Sequence, residues 1–168
     1  MKNLLWLIVF AMFVSVTASS QDTVKVLMNL TFGSSSEEVK SILDKTEWTQ
    51  VEYKNGIRYN NGFAIGQKYD ALILNFTKND KLYQIRLLYV YMDADSLLKR
   101  YKELREILDE QYGSGKRLEF IDTEGIPVFF TSWMDSDWSW GMSLEIDKRG
   151  LVVFKMQHKE LFNKSKEE

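Results

Sequence analysis

The sequence contains no cysteine and only one histidine among its 168 residues. The lack of cysteine excludes disulfide bonds, thiol catalysis and zinc sites with cysteine ligands. His158 is in phase with Val152, Phe154 and Met156, which places it at the end of a predicted strand. With no second histidine and no carboxylate at ligand spacing, it predicts no zinc site. We therefore expect neither a metal nor a cofactor.

Sequence motifs of the common catalytic and nucleotide-binding loops are also lacking. The chain has no G-x-S-x-G elbow, no P-loop and no G-x-G-x-x-G fingerprint. The glycines of Gly113-Ser114-Gly115 follow a predicted helix, whereas a phosphate-binding loop precedes one. The sequence therefore favours a protein that is not an enzyme.

Neither sign of charge is in clear excess, with 22 Lys and Arg against 24 Asp and Glu. A nucleic-acid-binding surface requires clustered basic residues, so no nucleic-acid partner is expected. Hydrophobic residues make up 45% of the chain, which is enough for one packed domain. Only one proline, Pro127, is present, and no linker-like stretch divides the chain. We expect one domain over residues 21–168.

Long hydrophobic runs are confined to the N-terminus. Met1-Lys2-Asn3 is followed by an apolar segment from Leu4 to Val16, then by small residues up to Ser20. This three-part pattern is typical of a secretory signal peptide, and the apolar run is too short for a membrane-spanning helix. We expect cleavage of residues 1–20 near Ser20/Gln21. The mature chain is then exported, periplasmic or secreted, and has no membrane span.

Hydrophobic periodicity divides the rest of the chain into helices and meanders. Thr23 to Phe32 reads as a strand, and a short helix follows Gly33. From Val51 to Met92 the period is two, with turn signals at Asn55-Gly56 and Asn61-Gly62. A second helix runs from Asp93 to Gly113, and a second meander follows up to His158. The polar end, Asn163 to Glu168, is expected to fray.

A weak internal repeat links the two halves. Leu72 to Leu87 aligns with Met142 to Met156 as strand, charged turn and strand, and each copy follows a helix. This pattern predicts an α+β fold in which an antiparallel sheet carries two helices on one face. A tandem helix-meander pseudo-repeat would then span residues 33–92 and 93–158.

The first helix carries a resemblance to known families. Gly33-Ser-Ser-Ser-Glu-Glu-Val-Lys-Ser-Ile-Leu43, followed by the helix-meander repeat, resembles two groups of small exported bacterial domains. These are the β-lactamase-inhibitor-protein-like group and the small outer-membrane-assembly lipoproteins. The resemblance implies a domain that binds another protein. The chain lacks the lipoprotein cysteine and the inhibitors' cysteine pairs, and no functional residue is carried over.

A tryptophan-rich segment is the strongest candidate site. Trp133 to Trp140 (WMDSDWSW) places Asp135 and Asp137 among three tryptophans. If the hairpin loop has an even number of residues, Trp133 pairs with Trp138 at the rim of the core face. Thr131 and Leu144 then share that face, and Ser132, Gly141 and Ser143 lie on the other, wetter face. An aromatic pair at a rim is suited to a protein or sugar partner. Trp133, Asp135, Asp137 and Trp138 are therefore the predicted binding residues.

Three functions remain open on the sequence alone. The first is a non-catalytic binding module for a protein or an envelope component such as a glycan. The second is a carboxylate-dependent carbohydrate-binding or glycoside-processing module that uses the Trp/Asp hairpin, because paired carboxylates beside aromatic rings are typical of such sites. The third is a structural secreted domain without a specific ligand.

Overall fold

The computed structural model describes residues 27, 29–43, 49–53, 56–91, 93–121, 127–134 and 139–167. The segment that was predicted to be a signal peptide lies outside these residues. Three helices and eight strands occur in the described part of the chain. In chain order they are α1 (Ser36–Leu43), β1 (Thr49–Tyr53), β2 (Gly56–Ala64), β3 (Gln67–Phe76), β4 (Leu82–Val90), α2 (Ala94–Tyr112), β5 (Lys116–Ile121), β6 (Pro127–Met134), β7 (Trp140–Asp147), β8 (Leu151–His158) and α3 (Lys159–Glu167).

All eight strands belong to one antiparallel sheet, in the order β1-β2-β3-β4-β8-β7-β6-β5. Each half of the chain contributes a meander of four consecutive strands, and β4 joins β8 at the centre. The two edge strands are therefore β1 and β5. The two predicted meanders and the antiparallel sheet are confirmed. The prediction of two sequence repeats, 33–92 and 93–158, stays a prediction.

The hydrophobic core lies on one side of the sheet. One row of cross-strand partners at its centre is fully buried and consists of Leu72, Leu87, Phe154 and Leu144. Helix α2 packs on this side and contributes Tyr101, Leu104 and Leu108 to the core. The spacing of these three residues follows the helical period, so one stripe of α2 is apolar.

Local signals fix where two helices begin. The side chain of Asp93 accepts a hydrogen bond from the amide of Ser96 at 2.8 Å and caps α2. At the start of α1, the Ser35 amide donates to the Glu38 carboxylate at 2.8 Å, and the Glu38 amide donates to the Ser35 hydroxyl at 3.2 Å. This reciprocal pair is a capping box. Both predicted helix starts are confirmed.

The predicted fold class, α+β with two helices covering one face of the sheet, is wrong. The protein is mainly β, and its helices flank the sheet. Helix α1 has 8 residues and α3 has 9, so each is about 12–14 Å long. Eight strands at about 4.8 Å spacing are roughly 34 Å wide, which such short helices cannot cover. Helix α2, with 19 residues, is the longest of the described helices and packs against β7 and β8.

Three local predictions are also wrong. Residues 27 and 29–32 form turns and irregular backbone instead of the predicted strand, whose earlier part lies outside the described residues. Asn61-Gly62 lies inside β2, where Asn61 has a positive φ of 54°, and the chain reverses at Ile65-Gly66. The polar end is helical up to Glu167, because Phe162 of α3 packs against Tyr83, with ring centroids 6.0 Å apart.

Candidate binding surface on the open face of the sheet

The predicted tryptophan site is described only in part. Trp133 is 5% exposed, and its indole N–H donates to the carbonyl oxygen of Gly113 at 2.8 Å. The same N–H lies 3.2 Å from a carboxylate oxygen of Asp109. The ring thus joins β6 to the end of α2 and offers little surface to a ligand. Asp135, Asp137 and Trp138 lie outside the described residues, and their role stays a prediction.

The strand register of the tryptophan hairpin differs from the predicted register, but the assignment of its described side chains to the two faces is as predicted. Trp133 lies opposite Met142 instead of Trp138, a shift of 142 − 138 = 4 residues. Because the shift is even, the paired residues of β6 and β7 that the structure describes keep their predicted faces. Thr131 and Leu144 share the core side, whereas Ser132 and Ser143 share the opposite side. The predicted sorting of the hairpin faces is therefore confirmed.

The side of the sheet that faces away from the core is here called the open face. Cross-strand partners share a face, so the register shows which residues lie on it. One row across the sheet is rich in basic and hydroxyl side chains: Arg58, Ile73, Arg86, Lys155, Ser143, Ser132 and Lys116. The neighbouring row is rich in amides: Asn75, Gln84, Gln157, Gly141 and Met134.

A groove of about 400 Å³ crosses β6, β7 and β8 on this face. Gly141 lies between Met134 on β6 and Gln157 on β8, so no side chain fills the space between them. The wall on the β6 side includes Phe130 and the exposed Met134. This volume is within the range of small-ligand sites, although the groove is open to solvent.

A chain of amides places a hydrogen-bond donor at the groove. Asn75 Nδ2 donates to Gln84 Oε1 at 2.8 Å, and Gln84 Nε2 donates to Gln157 Oε1 at 2.6 Å. Gln157 lines the groove, and its carbonyl oxygen is already an acceptor in this chain. Its amide N–H group remains as the terminal donor.

Ser143 lines the same groove and is a buried polar residue. It is only 5% exposed, and its Oγ has no hydrogen-bond partner among the residues that the structure describes. A buried hydroxyl without a partner costs about 1–3 kcal/mol, so most such groups in native proteins are satisfied. An anionic group that enters between the side chains around Ser143 would supply the missing partner.

The charged residues that line the groove, within the described part of the chain, are both basic. Lys155 and Lys159 line it, and no described lining residue is acidic. Arg86 is the cross-strand neighbour of Lys155, and its Nε is buried and lacks a hydrogen-bond partner within the described part. Among the described residues of this face, Glu145 lies one row from Ser143, between Phe130 and Val153. Donors and cations without acceptors suit an anionic group.

Asp109, on the core side, shows the opposite electrostatic environment. Partial burial opposes ionisation, but the Gly115 amide, the Arg117 guanidinium and the Trp133 indole all donate to this carboxylate. These hydrogen bonds hold the pKa of Asp109 below its usual value. Asp109 therefore has a structural role at the end of α2.

Sequence reasoning identified part of the open face. It assigned Ser132, Gly141 and Ser143 to the wetter side of the tryptophan hairpin, where the structure has them. It did not connect them with Lys155 and Gln157, which reach the groove only because β8 pairs with β7 in this register. The alternation of Lys155 and Gln157 with Phe154 and Met156 was the available signal.

Comparisons with family models, with curated proteins and with solved structures found no match. The resemblance to exported helix-meander domains therefore stays a prediction. Among the described residues, no helix is both long and apolar enough to cross a membrane. The same residues contain no group of three or more His, Asp or Glu side chains arranged to hold a metal ion.

Proposed function

We propose that the protein is an exported, non-catalytic binding module that holds an anionic group of a protein or envelope component in the groove on its open face. The observation that carries this proposal is the buried Ser143 hydroxyl, which has no partner among the described residues and lines the groove beside its cross-strand neighbour Lys155. Apolar side chains on one wall suit a partner in which the anionic group is attached to an apolar body. Export rests on the N-terminal sequence pattern.

Each group in the groove has one role in this account. Lys155 and Lys159 attract the anion, and the hydroxyl of Ser143 and the amide of Gln157 donate hydrogen bonds to it. Phe130 and Met134 contact the apolar body. Since the lysines are partly exposed to solvent, affinity should fall as the salt concentration rises.

The test uses octanoate as a probe, because it combines a carboxylate with a short apolar chain. Titration is followed by calorimetry and by the NMR signal of the Met134 methyl group. We expect saturable binding that weakens about tenfold in Lys155→Glu. Lys102→Glu, which changes the same charge on the exposed side of α2, is the matched control and should bind as the wild type does.

Two results would overturn the proposal. If Lys102→Glu weakens octanoate binding as much as Lys155→Glu does, the affinity depends only on the net charge of the protein and not on the groove. If octyl glucoside, which has the same chain length and no charge, binds as tightly as octanoate, the cationic rim does not select the ligand.

A further inference from the structure

The edge strand β5 is exposed along its whole length. All six of its residues are exposed, including Leu118 at 55%, Phe120 at 47% and Ile121 at 70%. Its only strand neighbour in the described sheet is β6, so one side of its backbone has no strand partner there. Natural edge strands are usually protected by inward charges, prolines or bulges. Strand β5 has three charged and three apolar side chains and no proline, so this edge can offer a second strand both ionic and apolar contacts.

We propose that β5 pairs with β5 of a second copy, antiparallel, with Leu118 on the two-fold axis. A two-fold axis perpendicular to the sheet keeps the open faces on the same side. Directly opposed residues must point to the same face of the sheet, so their residue numbers are both even or both odd. One residue of β5 must therefore lie on the axis, opposite the same residue of the second copy. With Leu118 there, two leucines meet. Arg117 or Glu119 on the axis would place two like charges opposite each other.

Charge complementarity favours the Leu118 register. It places Arg117 opposite Glu119 of the second copy, twice by symmetry, on the side of the sheet that carries α2. On the open face, Lys116 lies opposite Phe120, so the lysine's aliphatic part covers the ring. Opposite charges and apolar contacts across strands are stabilising, whereas directly opposed like charges are destabilising.

The existing ion pairs of β5 would extend across this interface. Within one chain, Arg117 lies 2.8 Å from Asp109 and Glu119 lies 3.8 Å from Arg105. Pairing therefore produces a row of four charges of alternating sign. The row runs from Asp109 and Arg117 of one copy to Glu119 and Arg105 of the other. The side chains of Arg117 and Glu119 are each 49% exposed, so both are accessible to a second copy. Arg105 Nε is buried and has no hydrogen-bond partner in the described region.

The pairing would join two eight-stranded sheets into one, with both open faces on the same side. The two grooves would then face a partner surface together, which strengthens binding to a surface with repeated anionic groups. The pairing itself rests on β5 alone and does not require the proposed groove function.

Sedimentation equilibrium of the processed chain, over a wide range of concentration, tests the pairing. We expect a monomer–dimer equilibrium. Leu118→Lys places like charges on the axis and should weaken dimerisation by at least about tenfold. Phe63→Lys, at another exposed apolar residue, is the matched control and should dimerise normally.

A charge exchange then tests the register. Arg117→Glu and Glu119→Arg should each weaken the dimer, and the double variant should recover most of the affinity. Thermal unfolding of each variant checks that the monomer is intact, since both residues also have partners on α2. A monomer at every concentration, open-ended polymers, or a dimer indifferent to Leu118→Lys would overturn the proposal.

Discussion

The indole N–H of Trp133 donates a hydrogen bond to the carbonyl oxygen of Gly113, at 2.8 Å, and so joins β6 to the residue that ends α2. Close packing supports this contact, because a Cβ added at Gly115 would lie 2.7 Å from the Trp133 ring. The tryptophan that the sequence indicates as a ligand contact is therefore part of the packing between helix and sheet.

Replacing this tryptophan should affect stability and leave binding intact. Trp133→Phe removes the hydrogen bond and part of a buried ring, so the free energy of unfolding should fall by about 2 kcal/mol. Denaturant unfolding measures the loss, and calorimetry should show unchanged octanoate affinity. Weakened binding with unchanged stability would instead support the hairpin site with Asp135, Asp137 and Trp138.

Replacing Ser143 should weaken binding and leave stability intact. Ser143→Ala removes a buried hydroxyl that has no partner in the described structure, so stability should be unchanged or rise by up to about 1 kcal/mol. Octanoate affinity should fall about three- to tenfold because one donor is lost. Ser41→Ala on α1, the control, should leave the affinity unchanged. A clear loss of stability in Ser143→Ala would mean that its hydroxyl has a structural role.

Acid should weaken the fold through Asp109. Because its pKa is lower in the folded state, this carboxylate stabilises the fold above the ordinary aspartate value of about 3.9. That contribution is lost as the pH falls through the lower folded value. Asp109→Asn should therefore be destabilising at neutral pH, and its difference from the wild type should shrink on acidification.

Denaturant unfolding at a series of pH values follows this difference. The exposed neighbour Glu110 provides the control, Glu110→Gln, which should match the wild type at each pH. A difference between Asp109→Asn and the wild type that stays constant with pH would contradict the assigned role of Asp109.

Elements with a strong local pattern were predictable from the sequence. The apolar stripe and the Asp93 cap define α2, and period-two alternation defines the strands of both meanders. Elements that depend on contacts between residues far apart in the chain could not be predicted from the sequence. The polar α3 has no buried residue of its own, and it packs through the contact between Phe162 and Tyr83. Likewise, the ladder between β4 and β8 joins residues far apart in the chain.

The groove could not be predicted for the same reason. Ser143, Lys155 and Gln157 become neighbours only when the register between β7 and β8 is known. A one-residue slip would move each side chain to the other face. The significance of Gly141 is also invisible in the sequence, because a glycine in a strand marks a turn, a bulge or an open space equally well.

The most direct test of the open-face account fills the groove from its floor. A Cβ at Gly141 would meet only ordinary contacts, 3.6 Å to the Trp133 carbonyl oxygen and 3.7 Å to Met134 Cγ. The backbone therefore accommodates a Cβ at this position, and we expect Gly141→Val to fold because valine favours strands. Calorimetric titration with octanoate is the decisive measurement. The account predicts an affinity reduced at least about tenfold with an unchanged melting temperature. Unchanged affinity in a folded Gly141→Val protein would contradict it.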